Sequence, residues 1–273
     1  LRRALKPPFD DIVAGLTVRL VLIPQSLAYA SLAGLPPSAG LMAAMFPPLV
    51  SAVLGSSPYL QTGPTALTAL LTLGVLAASF VPGSPGYVQA AALLAVLVGV
   101  SRVVIGLLRF GSIAYFMSLP VLRGFTSGAA VLIVASQIPA ALGVGSQGLG
   151  VWGAAWSALT DPSSWNAVAI ALTVATVALI RLTRRVSPLV PGVLLAALLG
   201  LAVTLLFGRV APVIGSLPTA FPLPSLELPW RSAGSIALGA AVIAIVGFAE
   251  PAAIARTFAR RGEPWNADRE LVA

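Results

Sequence analysis

The polar side chains that could do chemistry in this chain are few, and one of them is an isolated carboxyl group. Glu250 follows Ala244 to Ala249 and precedes Pro251, so it is the only acidic residue well inside an apolar segment. A carboxylate is costly to desolvate in such surroundings, and a residue of this kind is usually functional. The alternative is a structural pair with a buried arginine, for which Arg123 is the best partner by depth.

Two further polar residues share one face of the first apolar segment. Counted from Asp11 at roughly 1.5 Å per residue, Gln25 lies about 21 Å along the segment, beyond the midplane of a hydrocarbon core about 30 Å thick. Its amide can donate to an oxygen of an anion, and Tyr29, one turn later, can add its hydroxyl or ring edge. The alternative role of Gln25 is a hydrogen bond that joins two helices inside the membrane.

A third candidate is a backbone feature at Gly63-Pro64-Thr65-Ala66. Residues 56–62 lack helical periodicity, and Pro64 then stands near a helix start, where its missing N–H costs little. A helix that begins at mid-membrane directs unpaired N–H groups and roughly half an elementary charge at whatever precedes it, which favours an anion. Non-helical backbone at that depth must be buried in protein or line a cavity. The alternative is a kinked helix that its neighbours stabilise.

The same sequence argues against an enzyme. It contains no Cys and no His, which removes thiol nucleophiles, His acid–base chemistry and the commonest metal ligands. Paired carboxylates or a nucleophile with its base do not occur at usable spacing either. We therefore expect no catalytic residue and no metal site.

Apolar segments that need a lipid bilayer must position these residues. Of the 273 residues, 58% are apolar and only 9% charged, whereas a soluble domain has roughly a quarter charged residues. The second and third segments should be broken helices, because Pro36, Pro37, Pro47 and Pro48 flank a short second run and Gly63-Pro64 opens the third. At about 20 residues per spanning helix, the predicted segments lie near 11–32, 40–55, 64–81, 87–108, 118–142, 164–182, 188–207 and 233–255.

The basic residues predict the orientation of the chain. The formal charge of +8 comes from Lys and Arg at segment ends, which fits membrane topology better than binding to nucleic acid. With the N-terminus inside, only Arg209 and Arg231 lie outside. The cytoplasmic side then holds Arg2, Arg3, Lys6, Arg109, Arg181, Arg184, Arg185, Arg256, Arg260, Arg261 and Arg269. We therefore expect an integral protein of the cell (inner) membrane with a cytoplasmic N-terminus.

Several motifs resemble those of one known family. The more specific ones are Ala14-Gly15-Leu16-Thr17, residues 22–30 (Leu-Ile-Pro-Gln-Ser-Leu-Ala-Tyr-Ala), residues 33–37 (Ala-Gly-Leu-Pro-Pro), Pro47-Pro48-Leu49, Gly55-Ser56-Ser57 and Gly63-Pro64-Thr65-Ala66. Softer matches are Pro120-Val121-Leu122, Ser136-Gln137-Ile138-Pro139 and Phe248-Ala249-Glu250. In order and spacing, the sequence is similar to the sulfate permease (SulP) family over nearly the whole chain.

The resemblance implies an all-α polytopic fold of fourteen membrane segments in two inverted repeats of seven. Residues of about 10–207 would form the first repeat, with a short extended segment before the half-helix of the third segment. Residues of about 233–273 would begin the second repeat. The tenth segment, whose half-helix faces the third across the site, and the C-terminal STAS domain would be absent from this chain.

The resemblance also implies a function and its site. The substrate would contact Gln25, Tyr29, Gly63, Pro64, Thr65 and Ala66. Glu250 would bind a coupling cation or exchange a proton. We expect secondary active transport of a small anion (sulfate, bicarbonate, chloride or a dicarboxylate) by alternating access, coupled to H⁺ or Na⁺ and without another cofactor.

The expected partners are the anion, the lipid bilayer and a second copy of the chain in a homodimer. Two alternatives stay open at this point. One is a nucleobase–cation symporter of the same architecture, in which an uncharged ring bonds to Glu250, and the other is an anion channel.

Overall fold

Helices dominate the part of the chain that the structure describes. The computed structural model describes residues 8–57, 60, 62–112, 119–145, 150–186, 192–208, 227–258 and 265–272. These ranges contain ten α-helices: α1 Pro8–Leu32, α2 Pro37–Leu54, α3 Ala66–Leu76, α4 Pro85–Leu107, α5 Leu119–Leu142, α6 Val151–Thr160, α7 Ala167–Val186, α8 Gly192–Phe207, α9 Ala233–Phe258 and α10 Ala267–Val272. Short 3₁₀ turns lie at Phe110–Ser112, Pro162–Ser164 and Trp230–Ser232. The predicted all-α architecture is confirmed.

The apolar helices match the predicted segments. Four helical stretches of the described ranges are long and apolar enough to cross a membrane by length and composition: Pro37–Leu54, Pro85–Leu107, Ala167–Val186 and Trp230–Ala252. Shorter apolar helices lie at Val18–Leu32, Ala66–Leu76, Ala130–Leu142 and Gly192–Phe207. Each of these eight helical stretches overlaps a different one of the eight predicted segments. Periodicity and composition therefore located these helices correctly.

The second segment is an unbroken helix, so the prediction of a broken one is wrong. α2 runs from Pro37 to Leu54 with Pro47 and Pro48 inside it. Each proline removes one N–H from the helical hydrogen bonds, but its fixed φ is close to the helical value. Membrane helices tolerate such prolines where neighbouring groups compensate for the freed carbonyls. The double proline therefore interrupts the bonding of α2 without ending the helix.

The third segment does begin with a break, and its helix is shorter than predicted. The described residues before it, 55–57, 60 and 62–65, are not helical, while residues 58, 59 and 61 lie outside the described ranges. α3 then has 11 residues. At about 1.5 Å per residue its length is roughly 16 Å, about half of a hydrocarbon core some 30 Å thick. The predicted half-helix is therefore present.

By its contacts the chain divides into two compact units, of which the first comprises Leu1–Gln25 and Val131–Ser216. In this unit α7 and α8 pack closely at Gly192, where a Cβ atom would overlap the hydroxyl oxygen of Thr183. The Thr173 hydroxyl of α7 donates to the carbonyl oxygen of Ala141, near the end of α5, at 3.2 Å. These contacts hold α7 against both helices.

The second unit comprises Ser26–Ala130 and Leu217–Ala273. Tyr87, at the start of α4, donates its hydroxyl to the carbonyl oxygen of Ala33 and so fixes the end of α1. α1 and α2 approach so closely that a Cβ atom at Gly40 would overlap the carbonyl oxygen of Ser26. Helices α3, α4 and α9 form the core, with the buried residues Leu76, Tyr87, Ala90, Leu93, Leu94, Ile236, Ala240 and Ile243.

The short helix α10 fastens the ends of α2 and α4. One carboxylate oxygen of Glu270 accepts the N–H of Ser56 at 2.9 Å, the hydroxyl of Ser56 at 2.7 Å and the N–H of Ser57 at 3.2 Å. Asp268 accepts the N–H of Gly111, just after α4, at 2.7 Å. The sequence pattern predicts neither α10 nor α6, which lies in the first unit.

Candidate functional site

The first turn of α3 carries a side-chain cap. Thr65, the residue before the helix, is extended, with φ −122° and ψ 153°. Its hydroxyl oxygen accepts the N–H of Thr68 at 3.3 Å, and the Thr68 hydroxyl donates to the Thr65 carbonyl oxygen at 3.1 Å. An α-helix offers no internal acceptor to the N–H groups of its first positions. The N–H groups of Ala66 and Leu67 therefore remain as donors directed out of the helix start.

Four residues predicted to contact the substrate lie at the start of α3 or just before it. They are Gly63, Pro64, Thr65 and Ala66. Thr65 and Thr68 also place their hydroxyl oxygens 3.1 Å apart, so the Thr65 hydroxyl is already engaged within the turn. The preceding segment is tied to α2, because the Thr62 hydroxyl donates to the Ser51 hydroxyl at 2.6 Å. Direct contact of these residues with a substrate stays a prediction.

Helix α9 runs beside α3 in the opposite direction. A Cβ atom at Gly239 would lie 2.5 Å from Cγ1 of Val75, and one at Gly247 would lie 3.3 Å from Cγ2 of Thr68. The first turn of α3 thus meets the middle of α9. Glu250 follows Gly247 by three residues and is partly buried, so it lies on the same face of α9.

The structure adds a residue that the sequence analysis missed, Arg102 of α4. Its Nη2 atom lies 2.8 Å from the position of a Cβ atom at Gly247, the same position that is 3.3 Å from Thr68. The Nε atom of Arg102 is buried and has no hydrogen-bond partner in the described part of the chain. The sequence signal was one basic residue within the apolar run 87–108. Arg123, the partner named for the alternative in which Glu250 forms a structural pair, has its side chain outside the described residues.

The two remaining predicted contacts lie on α1. Gln25 and Tyr29 are both partly buried, and each already interacts with another group of the protein. Gln25 is the last α1 residue of the first unit, while Tyr29 belongs to the second. Their spacing of one helical turn is as predicted, and their contact with a substrate stays a prediction.

The second unit thus brings together a helix start, a guanidinium group and a carboxyl group. The helix start and Arg102 are donors and carry positive charge, a combination that suits an oxyanion. Among the described residues, no group of three or more His, Cys, Asp or Glu side chains could hold a metal ion. The arrangement therefore offers donors to a negative solute, with one ionisable carboxyl group a helical turn beyond Gly247.

A family model described as the sulfate permease family matches residues 9–273. The chain belongs to the sulfate permease family. As predicted, its relatives are transport proteins and not enzymes. A probable sulfate transporter of Mycobacterium tuberculosis strain H37Rv is 37% identical over 268 residues, which cover 96% of this chain and 48% of that protein. Human solute carrier family 26 member 6 is 30% identical over 295 residues, which cover 96% of this chain and 38% of that protein. The chain therefore spans about half the length of its curated relatives, or less.

Solved structures of sulfate permease relatives share the fold. The transmembrane domain of the cyanobacterial bicarbonate transporter BicA superposes with a TM-score of 0.84 at 26% identity, covering 96% of this chain and 69% of that chain. The murine anion transporter Slc26a9 in its inward-facing state also gives a TM-score of 0.84, at 20% identity, covering 96% of this chain and 48% of that chain. At 20% identity the second likeness concerns the fold alone.

Proposed function

We propose that this chain forms part of a secondary active transporter of a small anion, which binds at the first turn of α3. One observation carries the proposal: α3 begins at Ala66, a buried residue, and its first turn lies close to Arg102 of α4 and Gly247 of α9. Unpaired N–H groups and the positive end of the helix dipole make such a helix start an anion site. The family membership supports this, since relatives are named for transport of sulfate and of bicarbonate.

The anion belongs to the class of sulfate, bicarbonate, chloride and dicarboxylates. Backbone N–H groups and a partial positive charge attract any of these without distinguishing their shapes. Gln25 and Tyr29 are the side chains of α1 proposed to contact the same anion, and Gly63, Pro64 and Thr65 form the backbone around it. The remaining contacts are expected from the second inverted repeat.

Glu250 is the proposed coupling residue. It lies one turn beyond Gly247, where α3 meets α9, and it is partly buried. A carboxyl group there can take up H⁺ or bind Na⁺ and so make the site more attractive to an anion. By alternating access, the transporter would expose the bound anion and cation first to one side of the membrane and afterwards to the other side.

The protein is proposed to lie in the cell membrane with its N-terminus in the cytoplasm. The distribution of basic residues between alternate connections supports this orientation. A homodimer is proposed as the assembly.

Uptake by liposomes that carry the full-length protein tests the function. We expect saturable uptake of sulfate or bicarbonate that rises with an inward H⁺ or Na⁺ gradient. Gln25→Ala should raise KM for the anion, because a donor to the anion is lost. Glu250→Gln should abolish accumulation driven by the cation gradient while anion exchange continues, because the carboxyl group is needed only for coupling.

Other results would select another function. Competition by uracil but not by sulfate would identify a nucleobase–cation symporter. Currents above carrier rates would identify an anion channel. Folded Gln25→Ala protein with an unchanged KM would exclude Gln25 from the site.

A further inference from the structure

We propose that Arg102 coordinates the transported anion and favours doubly charged over singly charged substrates. The inference rests on the proposed function, because it takes the first turn of α3 as the place where the anion binds. It assigns to α4 a direct part in substrate recognition, in addition to its part in the core.

The guanidinium group of Arg102 lies close to both α3 and α9. A Cβ atom added to Gly247 would lie 2.8 Å from Nη2 of Arg102 and 3.3 Å from the methyl carbon of Thr68. Thr68 is the third residue of α3, so the guanidinium group lies beside the start of that helix. Both groups are positive, and neither neutralises the other. An anion that contacts both removes this repulsion.

The Nε atom of Arg102 is buried without a hydrogen bond in the described part of the chain. A buried donor of a charged group is costly to leave unpaired. A guanidinium group presents its donors as a planar fork that fits two oxygens of one oxyanion. Sulfate, bicarbonate and carboxylates all supply two such oxygens.

Gly247 lies directly opposite the guanidinium group. Nothing larger than a hydrogen atom fits at Gly247 while Arg102 keeps its position, because a Cβ atom would approach Nη2 to 2.8 Å. Since Nη2 is the end of a flexible side chain, Gly247→Ala should displace the guanidinium group rather than unfold the helix pair. This substitution moves the proposed ligand without removing its charge.

The charge of the substrate decides the expected selectivity. The Coulomb energy between Arg102 and an anion is proportional to the charge of the anion. Loss of the guanidinium group should therefore weaken binding of sulfate more than binding of chloride or bicarbonate. A purely steric role for Arg102 would change the affinities for these anions without regard to their charge.

Anion exchange by the full-length protein in liposomes tests the proposal, with KM measured separately for sulfate, bicarbonate and chloride. Arg102→Gln should raise KM for sulfate roughly 10- to 100-fold, which is the usual effect of losing a hydrogen bond to a charged group. For chloride the rise should be several-fold smaller. Arg102→Lys should give an intermediate KM for sulfate, because the charge remains but the fork is lost.

Two glycine substitutions keep the test valid if Arg102→Gln protein does not fold. Gly247→Ala should raise KM for sulfate. Gly99→Ala on the same helix as Arg102 should leave it unchanged, because a Cβ atom there meets nothing within 4 Å. An equal KM for sulfate in the wild-type and Gly247→Ala proteins would overturn the proposal.

A structural pair between Arg102 and Glu250 makes a different prediction. If the pair only neutralises charge, the double variant Arg102→Gln/Glu250→Gln should recover the wild-type KM for anion exchange, and this result would overturn the proposal. If Arg102 binds the anion, the double variant should keep the raised KM. This inference alone would be refuted if the wild-type protein exchanges anions and Arg102→Gln leaves KM unchanged for all three. The proposed function would be refuted if the wild-type protein exchanges none of the three anions.

Discussion

Thr65 and Thr68 order the first turn of α3 through hydrogen bonds. Thr65 caps the N–H of Thr68, and the Thr68 hydroxyl returns a hydrogen bond to the Thr65 carbonyl oxygen. These bonds satisfy the third N–H of the helix and fix the direction of the first two. The N–H donors of the proposed anion site are therefore held in place in the free protein, which would reduce the free energy that binding spends on ordering them.

Thr65→Ala tests this role of the cap. Loss of an N-cap hydroxyl should lower the free energy of unfolding by about 1 kcal/mol and loosen the first turn. We therefore expect a lower melting temperature in detergent and a raised KM for the anion in liposomes. Thr65→Ser keeps the hydroxyl and should behave as the wild-type protein in both measurements. Equal behaviour of the Ala and Ser variants would show that the cap does not hold the site.

Residue types alone identified some parts of the candidate site but not all. Glu250 and Gln25 can be recognised from the sequence, because a polar group inside an apolar segment is costly to bury and usually has a function. Arg102 has the same property but lies near the end of α4, where an arginine can also extend to the membrane surface. The Arg102 side chain can point into the protein because Gly247 of α9 leaves room for it. Neither the periodicity nor the spacing of residues in α4 predicts this contact with another helix.

Prolines show how the same local signal leads to different elements. Gly63-Pro64 precedes a helix because Thr65 follows as an extended cap. Pro47-Pro48 has no such cap beside it, and α2 continues through both residues.

The short helices were not predicted from the sequence for another reason. Three of the six residues of α10 are charged, and a helix so short owes its stability to tertiary bonds rather than to its own propensity.

Helix α10 provides a test of that explanation. Glu270→Ala removes the acceptor of the Ser56 and Ser57 N–H groups, so hydrogen exchange at these two amides should become faster while Gly111 stays protected. Asp268→Ala removes the acceptor of the Gly111 N–H, so it should have the opposite pattern. Exchange measured by mass spectrometry on the purified protein distinguishes the two. Unchanged protection of all three amides in both variants would mean that α10 does not fasten α2 and α4.

The chain as a whole forms two compact units and spans at most about half of its curated relatives. The proposed anion and coupling groups Arg102, Glu250 and the start of α3 all belong to the second unit. The repeat boundaries expected from the family, about 10–207 and 233–273, are a different division of the chain and stay a prediction. Sequence composition predicted the membrane class without difficulty, because so few charged residues cannot form a soluble surface.

The orientation can be tested directly because the 273 residues contain no Cys. A single cysteine in place of Arg184, in the last turn of α7, should react with an impermeant thiol reagent only from the cytoplasmic side. One in place of Arg231, in the 3₁₀ turn before α9, should react only from outside. Labelling in intact cells and in inverted vesicles separates the two sides. The reverse pattern would place the N-terminus outside.

The contact between Gly247 and Arg102 also restricts how the sequence of this family can change. A methyl group at position 247 fits only when the side chain at position 102 is displaced or shortened, so an alanine at the first site should often occur with a smaller residue at the second. Relatives with substitutions at both positions would keep the helix packing but lack the guanidinium group. Such paired substitutions would mark branches of the family whose transporters select a different class of anion.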